Sequence, residues 1–434
     1  MALYTPESKE RVRDAVDFTE VVSARTELRR AGANRLEGLC PFHDERTPSF
    51  GIDPVKKVYH CFGCGVGGDV FRFVQDTEGL DFPAAIEALA DRYGVELERE
   101  HEDPAQERRR HRRERLLELL ERSTGYYARY LWEADEAADA REYLAARGLG
   151  EETLRAFRVG YAASAWDHML VRSRRAGFTE DELRAAGLAQ RSKERGTLYD
   201  RFRGRLMFPL ADARGRVLGF GARALRDNQQ PKYLNTSEGE VYHKGRQVFG
   251  ADLARAEAAK AGLVILVEGY TDVLAMHQAG FVNSVGLMGT ALTEDQVAEL
   301  SRLTGADGRV VLALDADASG QEAMERAARV AAGRDLDLRV VELPAGADPA
   351  DLVAAEGADA MRGRVQGSVP FARFRIERVL DASDTSSADG RDRALARVRE
   401  SLAGLPASAL REELVRLVAG RLGLSEQLVG SLTA

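Results

Sequence analysis

Residues 263–272 read LVILVEGYTD and residues 309–320 read RVVLALDADASG, two apolar runs that each close on bare carboxylates. Short runs of Val, Ile and Leu bounded by turn residues read as buried strands. Glu268 ends the first, and Asp315 and Asp317 end the second. Two strands ending this way crowd negative charge at one edge of a sheet, where repulsion raises the carboxyl pKa values. Divalent cations relieve it, and hard oxygen ligands favour Mg²⁺. A magnesium site at a sheet edge points to phosphoryl or nucleotidyl transfer.

The flanking sequence supports that edge. From 263 to about 343, strand patterns (VILVE, VNSVGL, VVLALD, LRVVEL) alternate with helical ones such as EDQVAELSRL. Alternation implies parallel strands, right-handed crossovers and function at the strands' carboxyl ends. Within VEGYTDV, Gly269 permits a tight turn and Asp272 lies one helical turn beyond Glu268. Asp315 and Asp317 are two residues apart, so in an extended segment both face one side. A third acidic group, Asp348 and Asp351, follows in LPAGADPADL; Asp348 is predicted to N-cap a helix with Pro349 in its first turn. Singly, each acid reads as a capping or strand-end carboxylate. As a set at successive strand ends, the functional reading wins.

All three cysteines lie between positions 40 and 64, too few for a disulfide framework. Cys40-x₂-His43 and Cys61-x₂-Cys64 are separated by 17 residues, the pattern of a four-ligand zinc site. Pro41 and Gly63, Gly65, Gly67 and Gly68 supply turn geometry. Four protein ligands leave no open position, so the predicted zinc is structural. His60 competes with its neighbour Cys61 but breaks the x₂ symmetry. Phe50, Tyr59 and Phe62 interleave with Arg46, Lys56 and Lys57. They suit stacking on unpaired bases or, equally, the core of a small zinc-stapled sheet.

The chain's 434 residues, 44% apolar and 30% charged, predict two or three globular domains. No apolar stretch is long enough to span a membrane and no signal segment opens the chain, so the expected location is cytoplasmic. The formal charge of −8 is unevenly spread: residues 191–250 hold 13 Lys/Arg against 6 Asp/Glu. In DRFRGRLMFP, Arg201, Arg203 and Arg205 alternate as if along one strand face, and Arg223, Lys232 and Lys244 follow. Fixed cations beside a metal site suit triphosphates and a polyanionic strand. The segment HEDPAQERRRHRR at 101–113 lacks an apolar face and reads as a tether, its Arg run either a solvated face or a phosphate contact.

These pieces resemble bacterial DnaG-type DNA primases in the family's order: CPFH…HCFGCGVGGD, RFRGRLMFPL, GRVLGFGAR, PKYLN, HKGRQVFG, VEGYTDV, MGTALT, ALDADASG and LPAGADPADL. The resemblance implies a multidomain α+β and α/β protein. Its expected parts are a zinc-ribbon-like domain (1–100), a linker (101–113), a basic α+β part of the RNA polymerase domain (114–255), a Toprim parallel-sheet core (256–368) and a helical subdomain (369–434). It implies short RNA primer synthesis on single-stranded DNA from ribonucleoside triphosphates, with one structural Zn²⁺ and two or more catalytic Mg²⁺, or Mn²⁺ in their place. By resemblance Glu268, Asp272, Asp315, Asp317 and Asp348 form the acidic catalytic set. Lys232, Tyr233, Asn235 and Lys244 match nucleotide- and primer-facing motifs, and Arg201, Arg203 and Arg223 fall in basic motifs for template and nucleotide. Some members carry a third acid where this chain has Ala350, leaving open whether Asp351 substitutes. The replicative helicase is an expected partner, although its docking domain is expected to be missing here. The rival readings are another Toprim chemistry and a non-catalytic zinc-containing binder of single strands.

Overall fold

A computed structural model describes the chain except for residues 1–3, 33, 44, 99–103, 193–195, 227, 290–291, 306–307, 315–323, 325–335, 345 and 433–434. The first hundred residues build a five-stranded antiparallel sheet in sequential order: Arg29–Arg30, Leu36–Gly38, Phe50–Asp53, Val58–Cys61 and Gly67–Asp69. Side-chain caps from Thr5, Asp17, Asp69 and Asp81 start the helices Pro6–Ala15, Phe18–Ser23, Val70–Glu78 and Phe82–Tyr93. Phe18, Phe50, Tyr59 and Phe73 pack with one another between helices and sheet.

A helix then runs from Pro104 to Glu133, so helical structure already covers 104–113, where the sequence reads as a tether. Its polar start is held by partners far along the chain. Arg112 pairs with Glu240 at 2.7 Å and Asp181 at 2.8 Å. Arg108, Arg109 and Arg112 are nonetheless exposed, as the solvated-face reading expects. The apolar second half of the helix supports an antiparallel sheet ordered Tyr233–Asn235, Val217–Ala224, Arg205–Ala211 and Gly160–Ala162.

A third sheet contains Ser284–Gly286, Leu263–Val267, Arg309–Leu312 and Asp337–Val340 in that spatial order, all parallel. A short edge strand, Val369–Pro370, pairs antiparallel with Asp337–Val340, so the expected parallel sheet is mixed at one edge. The period-2 alternation of side chains joins the two sheets. Leu206, Phe208 and Leu210 share one core with Ile265, Val267 and Val273, while Met207, Phe220 and Ala222 face the long helix. Val264 and Leu266 point the other way, onto the helices Ala251–Ala261 and Glu294–Thr304. The last helices, Phe371–Asp381, Ala388–Ala403, Ala409–Leu422 and Glu426–Leu432, have their own core around Ile376, Val398 and Leu414.

The zinc-binding region meets the polymerase half through charged contacts. Glu78 faces Arg25 (3.8 Å), Arg92 (3.2 Å) and, across the boundary, Arg255 (3.5 Å). Arg214 pairs with Glu87 and, at 3.7 Å, with Asp81.

Candidate functional site

The two x₂ turns bring Cys40, His43, Cys61 and Cys64 together, with all four ligand atoms within 4.8 Å of one another. Cys40 Sγ lies 3.9 Å from Cys64 Sγ, and Cys61 Sγ lies 3.8 Å from His43 Nδ1. Tetrahedral zinc with Zn–S bonds of about 2.3 Å needs sulfurs separated by about 3.8 Å, so the donors fit the ion. Each turn aims backbone amides at sulfur: Phe42 N–H donates to Cys40, and Gly63 and Cys64 N–H donate to Cys61. A Cβ at Gly63 would stand 2.8 Å from both His43 Nε2 and Ser49 Oγ, which requires glycine there.

Two residues the sequence reading missed tie this cluster together. Glu45 accepts hydrogen bonds from Cys40 N–H (2.7 Å), Ser49 N–H (3.1 Å) and Ser49 Oγ, and lies 3.3 Å from His43 Nε2. Ser49 Oγ is also 3.2 Å from Cys61 Sγ. With Nδ1 toward the sulfurs and Nε2 toward Glu45, His43 has the orientation of a histidine ligand steadied by a carboxylate. Hydrogen bonding, first from the Ser49 hydroxyl, holds the Glu45 carboxyl below its ordinary range. The signal was visible as an acid two residues beyond the ligand in CPFHDERTPS. His60 lies outside the cluster, its ring edge-on to Phe62 at 4.7 Å. Phe50 and Tyr59 are buried core, whereas Phe62 is exposed beneath the Arg35 guanidinium at 5.0 Å.

At the carboxyl edge of the parallel sheet, Glu268 follows the Leu263–Val267 strand and is half-buried. Met288 N–H bonds its carbonyl at 3.0 Å. Asp272 is buried and its Oδ2 accepts Gly269 N–H at 2.9 Å, closing the turn that starts the helix Tyr270–Gln278. That hydrogen bond helps shape the turn that carries Glu268. Asp348 caps the helix Pro349–Glu356 with Pro349 in its first turn, and its Oδ1 accepts Asp351 N–H at 2.7 Å. The two helices pack together, and each follows a parallel strand, so both amino ends lie at the sheet's carboxyl edge. Asp351 is exposed. Asp315 and Asp317 lie outside the described residues. The strand leading toward them, Arg309–Leu312, runs beside Leu263–Val267, and Ala313 N–H continues the pairing to Leu266.

The basic residues divide. The strand starts at Arg205, so Arg201 and Arg203 precede it in a loop and the three arginines share no strand face. Arg205 is buried and donates to the Pro231 carbonyl at 2.7 Å, a structural post. Arg201 donates to Gln190 Oε1 (3.3 Å) and the Asn235 carbonyl (2.8 Å), and burial lowers its pKa. Arg203 is half-buried in the same loop. Arg223 is buried between the Tyr143 ring, 4.3 Å away, and its cross-strand neighbour Tyr233, whose hydroxyl its Nε meets at 3.3 Å. Lys232 is exposed and lies 6.0 Å from the Tyr233 ring. Lys244 opens the short turn Lys244–Arg246, where its N–H bonds Glu238 at 2.7 Å.

Tyr270 joins the basic and acidic faces, and the sequence reading overlooked it. Its ring stacks on Phe208 at 4.6 Å and its hydroxyl donates to Asn235 Oδ1 at 2.8 Å. Gly221 makes room, because a Cβ there would meet the Tyr270 hydroxyl at 2.0 Å. The turn bearing Glu268 is thus pressed directly against the sheet bearing Arg223 and Asn235.

Comparisons with known proteins agree with this arrangement. Residues 4–105 match the CHC2 zinc finger, 126–255 the N-terminal domain of the DNA primase catalytic core, and 265–353 a Toprim-like model. Residues 372–427 match the DnaB-helicase binding domain of primase. That match overturns the expectation that a helicase-docking segment is missing; helical periodicity alone did not distinguish the two. A DNA primase from Streptomyces coelicolor is 39% identical over 416 residues, 95% of this chain and 65% of the relative's length. The RNA polymerase domain of Mycobacterium tuberculosis primase, in complex with double-stranded DNA, superposes with TM-score 0.65 at 37% identity, covering 72% of this chain and 99% of that one. The zinc-binding and RNA polymerase domains of Aquifex aeolicus primase superpose with TM-score 0.62 at 29% identity, covering 97% and 98% of the two chains. Among the described residues no helix is long and apolar enough to cross a membrane.

Proposed function

Since the chain belongs to the bacterial DnaG-type primase family, we propose that it synthesises short RNA primers on single-stranded DNA from ribonucleoside triphosphates. The observation that carries this is the Tyr270 junction, which sets the acidic turn directly against the basic sheet. The domain limits proposed are 1–100 for zinc binding, 114–255 and 256–368 for the two halves of the polymerase, entered through the helix that starts at Pro104, and 369–434 for the helical end. Helicase docking through 372–427 is part of the same proposal, as is action in the cytoplasm beside the replicating chromosome.

Glu268, Asp315, Asp317 and Asp348 form the hard oxygen donor set that would hold Mg²⁺. When bound, Mg²⁺ supplies activation of the attacking 3′-hydroxyl and charge neutralisation at the departing pyrophosphate. Asp272 belongs to the same acidic catalytic set, and its bond to Gly269 N–H also closes the Glu268 turn. Lys232, Tyr233, Asn235 and Lys244 bind nucleotide and primer, while Arg201, Arg203 and Arg223 offer cations to template phosphates. The zinc cluster fixes the fold of the first hundred residues.

The test is labelled ribonucleotide incorporation on a pool of short single-stranded DNA with Mg²⁺, with and without helicase. The unchanged chain is expected to make short RNA, and Asp315→Asn or Asp317→Asn to lose it by about a thousandfold or more without loss of fold. Strand binding with no incorporation under either condition would favour the non-catalytic binder instead.

A further inference from the structure

Between the long helix Pro104–Glu133 and the helix His168–Arg175 lies a cavity of about 840 Å³. Arg122, Tyr126 and Arg129 line it from the first helix, and His168, Arg172 and Arg175 line it from the second. Both sets are spaced four and then three residues apart, which puts each on a single helix face. Four arginines and a histidine meet there, and no carboxylate is among the lining residues. All four arginines lie outside the basic stretch at 191–250.

Other arginines of these helices are neutralised by carboxylates. Arg115 meets Glu182 at 3.0 Å, Arg122 meets Glu118 at 2.7 Å and Arg174 meets Glu180 at 3.2 Å. Arg129, Arg172 and Arg175 are exposed and form no ion pair among the described residues; Arg172 lies 4.8 Å from the Tyr126 ring instead. A cavity lined by one sign of charge concentrates anions. Its walls are also tied to each other. The Tyr126 hydroxyl reaches His168 Nδ1 at 3.3 Å, and the Ser123 and Ser173 hydroxyls meet Met169 Sδ at 3.6 and 3.4 Å. Asp200 accepts the Met169 and Leu170 amides, which fixes the start of the second helix. Leu119, Met169 and Phe178 add apolar lining. A preformed cavity of this size, part apolar and part cationic, suits a small charged molecule.

We propose that this cavity binds a nucleoside polyphosphate at a site separate from the acidic edge. Arg129, Arg172 and Arg175 take the phosphates, and the apolar lining takes the base. Guanidinium groups match phosphate oxygens in pairs and keep their charge at every physiological pH. The site therefore needs no metal, in contrast to the acidic edge, where carboxylates would repel a bare triphosphate. The proposal goes beyond the polymerase reading, which stands or falls without it.

The test is calorimetric titration of the zinc-loaded chain with adenosine triphosphate and no added Mg²⁺. Binding is expected, and the double variant Arg172→Ala/Arg175→Ala is expected to weaken it about 10- to 100-fold. Both arginines are exposed, so the double variant keeps its fold, which its melting curve checks. Inorganic tripolyphosphate is expected to compete more weakly than the nucleotide; competition at equal strength overturns the base contact. Affinity unchanged in the double variant but lost in Lys232→Ala places the triphosphate on the antiparallel sheet and overturns the cavity site. Loss of oligothymidylate binding in the double variant, with triphosphate affinity unchanged, makes the cavity a strand contact and overturns it as well.

Discussion

The zinc cluster gathers thiols and an imidazole and the acidic edge gathers carboxylates, both on turns, yet they are built in opposite ways. Cys40, His43, Cys61 and Cys64 come from one short stretch and converge within 4.8 Å. Their supporting groups, Glu45 and Ser49, come from the same stretch. Glu268 and Asp348 instead follow separate strands, and Arg223 belongs to a different sheet. The first site is built within one stretch of chain; the second is assembled from several. A local site fails by losing its ion, and a dispersed site fails by losing its alignment.

Breaking the local site has the largest expected effect. Structural zinc supplies roughly 10–16 kcal/mol to the folding of small zinc modules. Cys61→Ser is expected to strip the ion and expose the first hundred residues to protease, while the region beyond Pro104 stays resistant. Zinc content and limited digestion check it; a zinc-loaded, resistant variant would contradict a four-ligand site. Breaking the alignment of the dispersed site comes next. Gly221→Ala drives a methyl into the Tyr270 ring, an overpacking cost of about 1–3 kcal/mol or more. The melting midpoint of the polymerase half is expected to fall by about 4–10 °C, and primer synthesis with it, at unchanged zinc content.

A subtler change sharpens the contrast. Glu45→Gln keeps the shape but weakens the hold on His43, and zinc affinity in chelator competition is expected to drop about 10- to 100-fold. The smallest effect separates the sites by pH. Burial pushes the Asp200 carboxyl from an ordinary 3.8 up to about 6, against the two amide bonds that it accepts. Between those values the folded chain binds more protons than the unfolded one. The contribution of Asp200 to stability is therefore full below pH 4 and is lost as pH rises through 6. The zinc region runs the other way, because protons compete for its thiolates and imidazole as pH falls. Melting curves across pH 4–7 for the unchanged chain and Asp200→Asn should differ in slope only in the polymerase transition; parallel slopes would remove Asp200 from the account.

What the sequence revealed followed this division between local and dispersed. Ligand spacing, the Asp348-Pro349 cap and the strand ending at Glu268 depend on neighbours in the chain, and the structure bears them out. Alternation suggested that Arg201, Arg203 and Arg205 line one strand. Whether an arginine is displayed or buried depends on distant partners, here the carbonyls of Pro231 and Asn235. The Arg112 pairs with Glu240 and Asp181 were hidden for the same reason, and so was the helix beginning at Pro104. Tyr270 looked like one more aromatic in VEGYTDV; its meaning lies in Gly221, which is remote in sequence.

The contact between Gly221 and Tyr270 also bears on how such chains can be recombined. A hybrid that takes its antiparallel sheet from one parent and its parallel sheet from another inherits half of a lock whose key was cut elsewhere. With any side chain at 221, or with a differently sized ring at 270, the core that the two sheets share would have to repack at this point. Exchange of parts between relatives is therefore constrained at this seam to move both residues as a pair, whatever else is allowed to vary.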